Sequence, residues 1–216
     1  AQSLTIADNY VYIHDADSLR VVNIANPAAP IAAGYVKFFG GSYGVGDAVA
    51  VAGGYAYAAD FSRGVHVIDI RDPEGPFGVS VIDTPGWAGG VYVAGTYVYV
   101  ADGDEGLRVV SVADPVHPAE VGFYDTPGSA RSVCVATLYA YVADGDSGLR
   151  IVSVADPAHP TEHGFYDTPG SARSVHVAGN YAFVVDEYAG LRVIDVSNPA
   201  SPTEVGFYDT PGRAQG

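Results

Sequence analysis

Apolar residues alternate with polar or small ones in short runs along the whole chain, and the runs return at a fixed interval. Leu107-Arg108-Val109-Val110-Ser111, Leu149-Arg150-Ile151-Val152-Ser153 and Leu191-Arg192-Val193-Ile194-Asp195 begin 42 positions apart, with Val65-His66-Val67-Ile68-Asp69 another 42 before them. Leu19-Arg20-Val21-Val22-Asn23 is a fifth copy 46 residues earlier, its repeat carrying four net extra residues. A period of two within each run predicts strands, and no segment carries the 3.6-residue period of a helix. The unit that begins at Arg173 resolves into four strands: Ser174 to Ala178, Tyr181 to Val185, the Leu-Arg-Val-Ile-Asp-Val run from Leu191, and Glu204 to Tyr208. Gly179-Asn180 is a two-residue hairpin signal between the first two.

Proline punctuates the pattern. All 14 prolines fall into two turn classes, ten in Pro-x-x-Pro loops and four in Thr-Pro-Gly turns. Proline cannot donate to a strand ladder, so each marks where a strand stops. Because both faces of the strands carry Val, Ile, Leu, Ala or Tyr, one small sheet cannot bury its own surface and must stack on its neighbours. The prediction is all-β: a five-bladed β-propeller of four-stranded antiparallel blades with a ~42-residue repeat, in a single domain over 1–216. Blades fall at approximately 1–46, 47–88, 89–130, 131–172 and 173–216. Blade 5 is expected to close the ring on blade 1; the alternative is a piece of a longer array whose end faces need partners.

The third-strand blocks Leu191-Arg192-Val193-Ile194-Asp195-Val196-Ser197-Asn198-Pro199 and Val65-His66-Val67-Ile68-Asp69-Ile70, preceded by Tyr-x-Tyr-Val-Ala-Asp, resemble the LVIVD repeat family over essentially the whole chain. The resemblance implies a propeller fold and a cell-surface or secreted setting, and it brings no catalytic residue with it.

Charge narrows the partners. Ten basic residues against 25 acidic ones give a net charge of −15, a field that repels phosphate backbones and anionic membrane surfaces, so no nucleic-acid partner is expected. No signal peptide or run of about twenty apolar residues appears, so no membrane insertion is expected. The start at Ala1, without methionine, fits processing or excision from a longer protein. Cys134 stands alone in an apolar strand and reads as a buried hydrophobe.

Two groups of residues carry candidate chemistry. Asp102-Gly103-Asp104-Glu105-Gly106 and Asp144-Gly145-Asp146-Ser147-Gly148 alternate carboxylates around glycine, so Asp102, Asp104, Asp144 and Asp146 are candidate calcium ligands, though no cofactor is required. Against that, an aspartate recurs here in every blade (Asp15, Asp60, Asp102, Asp144, Asp186), which fits an Asx turn and an ion pair to the Arg or His nearby. Asp83, Asp125, Asp167 and Asp209, before each Thr-Pro-Gly, read as turn residues whose side chains bond their own loops. The histidines show no zinc spacing.

The second group lies where the repeat breaks. Gly122 to Val133 is identical to Gly164 to Val175, whereas blade 1 replaces Tyr-Asp-Thr-Pro-Gly by Lys37-Phe38-Phe39-Gly40-Gly41-Ser42-Tyr43-Gly44 and blade 2 places Trp87 where blades 3 and 4 have Ser129 and Ser171. Loops of this kind share one rim of a propeller, so Phe38, Phe39, Tyr43, Asp47, Trp87, Arg131 and Arg173 are expected around one mouth of the channel, as a binding platform with apolar faces and a few polar groups. The competing role for the aromatics is to fill space around the insertion. The function expected is non-catalytic binding of a glycan, peptide or protein by a monomeric surface or secreted propeller. Alternatives are an assembly unit of a larger repeat protein and a hydrolase, for which Asp47 would be the acid or base.

Overall fold

The structure is a computed structural model, and it describes residues 3–15, 17–38 and 48–215. Twenty strands form five four-stranded antiparallel sheets, each in simple meander order. Blade 1 holds β1 (Ser3–Ala7), β2 (Tyr10–Asp15), β3 (Ser18–Asn23) and β4 (Ile31–Lys37); blade 2 holds β5 (Val49–Ala52), β6 (Tyr55–Ala59), β7 (Val65–Asp69) and β8 (Phe77–Ile82). Blade 3 is built from β9 (Gly90–Ala94), β10 (Tyr97–Ala101), β11 (Leu107–Ser111) and β12 (Ala119–Tyr124), and blade 4 from β13 (Ser132–Ala136), β14 (Tyr139–Ala143), β15 (Leu149–Ser153) and β16 (Thr161–Tyr166). Blade 5 comprises β17 (Ala172–Ala178), β18 (Tyr181–Asp186), β19 (Gly190–Asp195) and β20 (Thr203–Tyr208). The chain is thus a five-bladed β-propeller, all β, as the repeat predicts.

Turn chemistry accounts for the hairpins. The first residue of each tight turn between the first two strands adopts a left-handed backbone: Asp8, Gly53, Gly95, Thr137 and Gly179, with φ between 52 and 60°. Glycine adopts this conformation without strain; Thr137, β-branched at φ 57°, does so at a cost. A second regularity was not foreseen. The pairing of the third with the fourth strand slips by one residue at the same place in every blade, for example between Val109 and Val110, where Val121 is the extra residue on β12. Such a bulge bends and twists the outer strand.

Burial lies between blades. Tyr99, Ala101, Leu107 and Val109 on the rear of blade 3 meet Val133, Val135, Ala140, Val142 and Val152 on the front of blade 4 in one apolar cluster. Equivalent clusters join blades 1 and 2, 2 and 3, and 4 and 5. Cys134 is buried in the last of these, and burial pushes its thiol pKa up. Among the described residues no core cluster joins blade 5 to blade 1. The expected closure of blade 5 on blade 1 is therefore corrected: the five blades form an arc, with Leu4 and Ile6 of blade 1 each 60% exposed on its free face.

Candidate functional site

The first strand of each blade lines the central channel. At its inner edge stand Ser3, Ala48, Gly90, Ser132 and Ser174, all small, so a cavity of about 730 Å3 remains open at one mouth. Its functional lining is asymmetric: Phe61 and Trp87 on one side, Ser129 and Arg131 beside them, then Arg173 and Gln215.

Trp87 lies in the loop between β8 and β9, and its ring stacks on Phe61 at 5.2 Å between centroids and 16° between planes. It remains 55% exposed, so one indole face is available to a ligand. Phe61 was missed in the sequence. It occupies the place of Gly103 and Gly145 in blades 3 and 4, and it keeps the left-handed backbone of those glycines, with φ 46°. Paired backbone bonds with Ala88 (3.2 and 2.9 Å) hold it there, as Gly103 is held by Ala130. An aromatic side chain at a glycine position costs backbone strain and often marks a functional place. The signal was present: Phe61 breaks the Asp-Gly pattern of the neighbouring repeats.

The two arginines differ. Arg131 is exposed and makes no ion pair among the described residues. Arg173 donates from Nε to Glu187 Oε2 at 2.7 Å and also pairs through Nη2. Glu187 is almost wholly buried and is shared with Arg213 at 3.2 Å, so its charge is more than neutralised. Among the described residues that line the cavity there is no carboxylate, although the chain as a whole carries −15. The described lining of the mouth is positive on an acidic protein.

Trp87, Arg131 and Arg173 therefore meet as the sequence suggests. Phe38 does not join them. It is 4% exposed and stacks on His66 at 4.5 Å in the core between blades 1 and 2, next to His14 at 5.3 Å. Its role is the space-filling one, because the shorter His66 replaces arginine at this strand position and leaves a gap that the Phe38 ring closes by stacking on the imidazole. Phe39, Tyr43 and Asp47 lie outside the described residues.

The acidic loops are built into the blade junctions. Asp102 is buried and accepts bonds from Thr84 Oγ1 at 2.6 Å and the Gly86 amide at 2.8 Å, both from the preceding blade. Asp144 accepts the same two bonds from Thr126 at 2.5 Å and Gly128 at 2.8 Å. Asp186 keeps the glycine bond, from Gly170 at 2.8 Å. Asp102, Asp144 and Asp186 thus act as clasps between blades, a role the turn reading did not include, while two parts of that reading hold: the ion pair to the nearby Arg or His is present at Asp15–Arg20 and Asp60–His66, each at 2.9 Å, and Asp186 also accepts from the Tyr188 amide two residues on, at 3.3 Å. Burial pushes the carboxyls of Asp102 and Asp144 above their ordinary pKa, against the lowering effect of the threonine and glycine donors and of the arginines 3.9 Å away. Asp104 and Asp146 are exposed, and among the described residues no three His, Cys, Asp or Glu side chains gather to hold a metal.

Asp125, Asp167 and Asp209 also depart from the turn reading. They approach Arg108, Arg150 and Arg192 at 3.7, 3.1 and 3.6 Å. Each of these arginines lies over the phenylalanine opposite it on the last strand, Phe123, Phe165 and Phe207, at 4.6 to 4.8 Å.

The LVIVD repeat matches residues 1–37, 44–84, 85–126, 127–168 and 169–210. No curated protein matches the chain. Among solved structures, the periplasmic gluconolactonase of Pseudomonas aeruginosa is similar in fold, with a TM-score of 0.81 at 16% identity over 97% of this chain and 72% of its own. A functionally unknown protein from Desulfotomaculum acetoxidans gives 0.70 at 11% identity, over 95% of this chain and 67% of its own. The computationally designed Ika8 protein gives 0.68 at 10% identity; this chain spans 63% of its length.

Proposed function

The chain belongs to the LVIVD-repeat family, and we propose that this member is a non-catalytic binding propeller whose ligand is an anionic saccharide seated in the channel mouth. One observation carries the reading: on a chain of net charge −15, the only described groups of full charge in the cavity lining are Arg131 and Arg173, beside an exposed indole face. An aromatic ring packs on the apolar face of a sugar ring, and an unpaired guanidinium takes a carboxylate or sulfate in a charge-assisted, bidentate fashion. Arg131 has the free fork for that bond, while Arg173, held by Glu187, fixes the wall.

The reading is non-catalytic because general acid–base work needs a carboxylate or imidazole within reach, and the described lining offers guanidiniums, hydroxyls and an amide. The likeness to a gluconolactonase supports the scaffold alone. A setting outside the cytoplasm, at the cell surface or secreted, suits the acidic composition; no helix of the described residues is long and apolar enough to cross a membrane.

Trp87 is the single tryptophan of the chain, so its fluorescence reports the site directly. Titration with oligogalacturonate is expected to shift that emission, with at least tenfold weaker binding for Arg131→Gln and for the neutral galactose oligomer. In Phe61→Gly the backbone strain is relieved and the stack is lost, so binding weakens while the melting temperature holds or rises. Equal binding of charged and neutral oligomers, or indifference to Arg131→Gln, rejects the proposal.

A further inference from the structure

The rear face of blade 5 repeats, group by group, the surface that blades 3 and 4 use to hold their next neighbour. Its apolar patch is Phe183, Val185, Leu191 and Val193, only half-buried, where the equivalent Tyr141, Ala143, Leu149 and Ile151 of blade 4 are covered by blade 5. Two further devices stand idle beside it. A Cβ on Gly122 would lie 2.4 Å from the Pro157 carbonyl of the next blade, and one on Gly164 would lie 2.2 Å from that of Pro199, so these glycines are required by the approach of a Pro-x-x-Pro loop. A Cβ on Gly206, at the same place in blade 5, meets nothing within 4 Å. Likewise Thr84 and Thr126 donate to the clasp aspartate of the following blade, whereas the Thr210 hydroxyl, among the described residues, bonds only the Gly212 carbonyl of its own loop, at 3.4 Å.

We infer that this face is half of a blade junction, and that its other half is the front face of a further blade of the same repeat, with two or three such blades completing the ring. The partner chemistry is fixed by the four junctions already present: a front face of valines and alanines like Val133, Val135, Ala140, Val142 and Val152, a buried aspartate to accept from Thr210 and the Gly212 amide, and a Pro-x-x-Pro loop to lie on Gly206. Blade 1 offers such a front, Leu4, Ile6, Val11, Ile13 and Val22, but it does not reach blade 5. The space between them has a size. The five blades superpose on 63 to 72% of larger structures, which leaves in each the length of roughly two to three repeats. A second five-bladed copy overfills that arc; two or three blades fit it, and they supply the stretch of channel wall between Gln215 and Ser3.

The test compares the chain with a version in which a copy of residues 127–210, two matched repeats, follows Thr210. The parent is expected to bind a dye for exposed apolar surface and to associate with concentration into no fixed size; the extended chain is expected to be monomeric, to lose dye binding and to melt roughly 10 °C higher. Gly206→Val separates the occupants and needs no added blades. It should leave the melting temperature of the parent unchanged and remove most of the gain in the extended chain. A parent that is monomeric, binds no dye and melts lower with Gly206→Val closes on its own blade 1, which overturns the inference. A parent dimer that Gly206→Val dissociates assigns the face to a second copy and overturns it as well. None of these readouts involves the channel ligand, so the binding proposal stands or falls separately.

Discussion

The rear of blade 3 and the rear of blade 5 are written in nearly the same residues and have different surroundings. Tyr99, Ala101, Leu107 and Val109 are all but inaccessible beneath blade 4, and their counterparts Phe183, Val185, Leu191 and Val193 remain half-open. Gly122 is pressed by a neighbouring carbonyl while Gly206 faces space. The contrast teaches which repeated residues contribute to stability within a blade and which act only when a neighbour arrives. Alternating apolar positions shape the sheet wherever they occur; the fourth-strand glycine, the threonine and the clasp aspartate have energetic meaning only across a junction.

Truncations should show the contrast most strongly. Leu149→Ala removes a fully buried side chain from the junction of blades 4 and 5 and is expected to cost about 2–5 kcal/mol in urea unfolding. Leu191→Ala, one repeat later, should cost less than half as much. Equal losses would mean that blade 5 is covered in solution.

Next in size is the glycine pair. Gly122→Val drives a side chain into the Pro157 carbonyl and should cost roughly 1–3 kcal/mol, while Gly206→Val should be neutral within about 0.5 kcal/mol. The same assay reads both, so the difference between them is the informative number.

The clasp can be broken similarly. Asp144→Ala strands the Thr126 hydroxyl and the Gly128 amide and is expected to cost about 2–3 kcal/mol. Thr210→Val, the corresponding change at the idle end, should be silent. If Thr210→Val destabilises the chain, a partner for that hydroxyl exists.

Smallest, but opposite in sign at the two ends, is the effect of pH. The Asp144 carboxyl has a raised pKa because it is buried, so the native state holds its proton more tightly than the unfolded chain. Its contribution is therefore greatest below the unfolded value of 3.8 and is lost as pH rises through the higher folded value. Asp15 holds the equivalent place in blade 1, where no preceding blade buries it. Its bond from Arg20 lowers its pKa, so its contribution is present above 3.8 and is lost as pH falls through the lower folded value. Measured from pH 3 to 7, stability should fall with rising pH relative to Asp144→Asn and rise relative to Asp15→Asn; parallel profiles would show that the two sites share one environment.

Much of this was readable in the chain. Strand positions, hairpin turns and proline stops depend on interactions within a few residues, and each repeat states them again, so the extents of β18 and β20 differ from expectation by one residue at most. The meeting of Trp87, Arg131 and Arg173 was also legible, because loops at equivalent repeat positions must share a rim. Phe38 was not, since whether an aromatic beside an insertion points inward depends on the gap left by His66 across the blade junction. The clasp aspartates escaped for the same reason: Asp102 and Thr84 are 18 residues apart and belong to different blades.

The sequence by itself determined the sheet, the number of blades and the two kinds of turn, because alternation and turn chemistry are local and act identically in every copy. Only the tertiary structure decided what each repeated polar residue touches and whether the last blade meets the first. The rotation from one blade to the next adds up over four junctions, and a repeat that is the same at each of them carries no mark of where the sum ends. Four such rotations leave the faces of blades 1 and 5 apart, and so leave at the edge, half-covered, residues whose equivalents are buried in the middle of the chain.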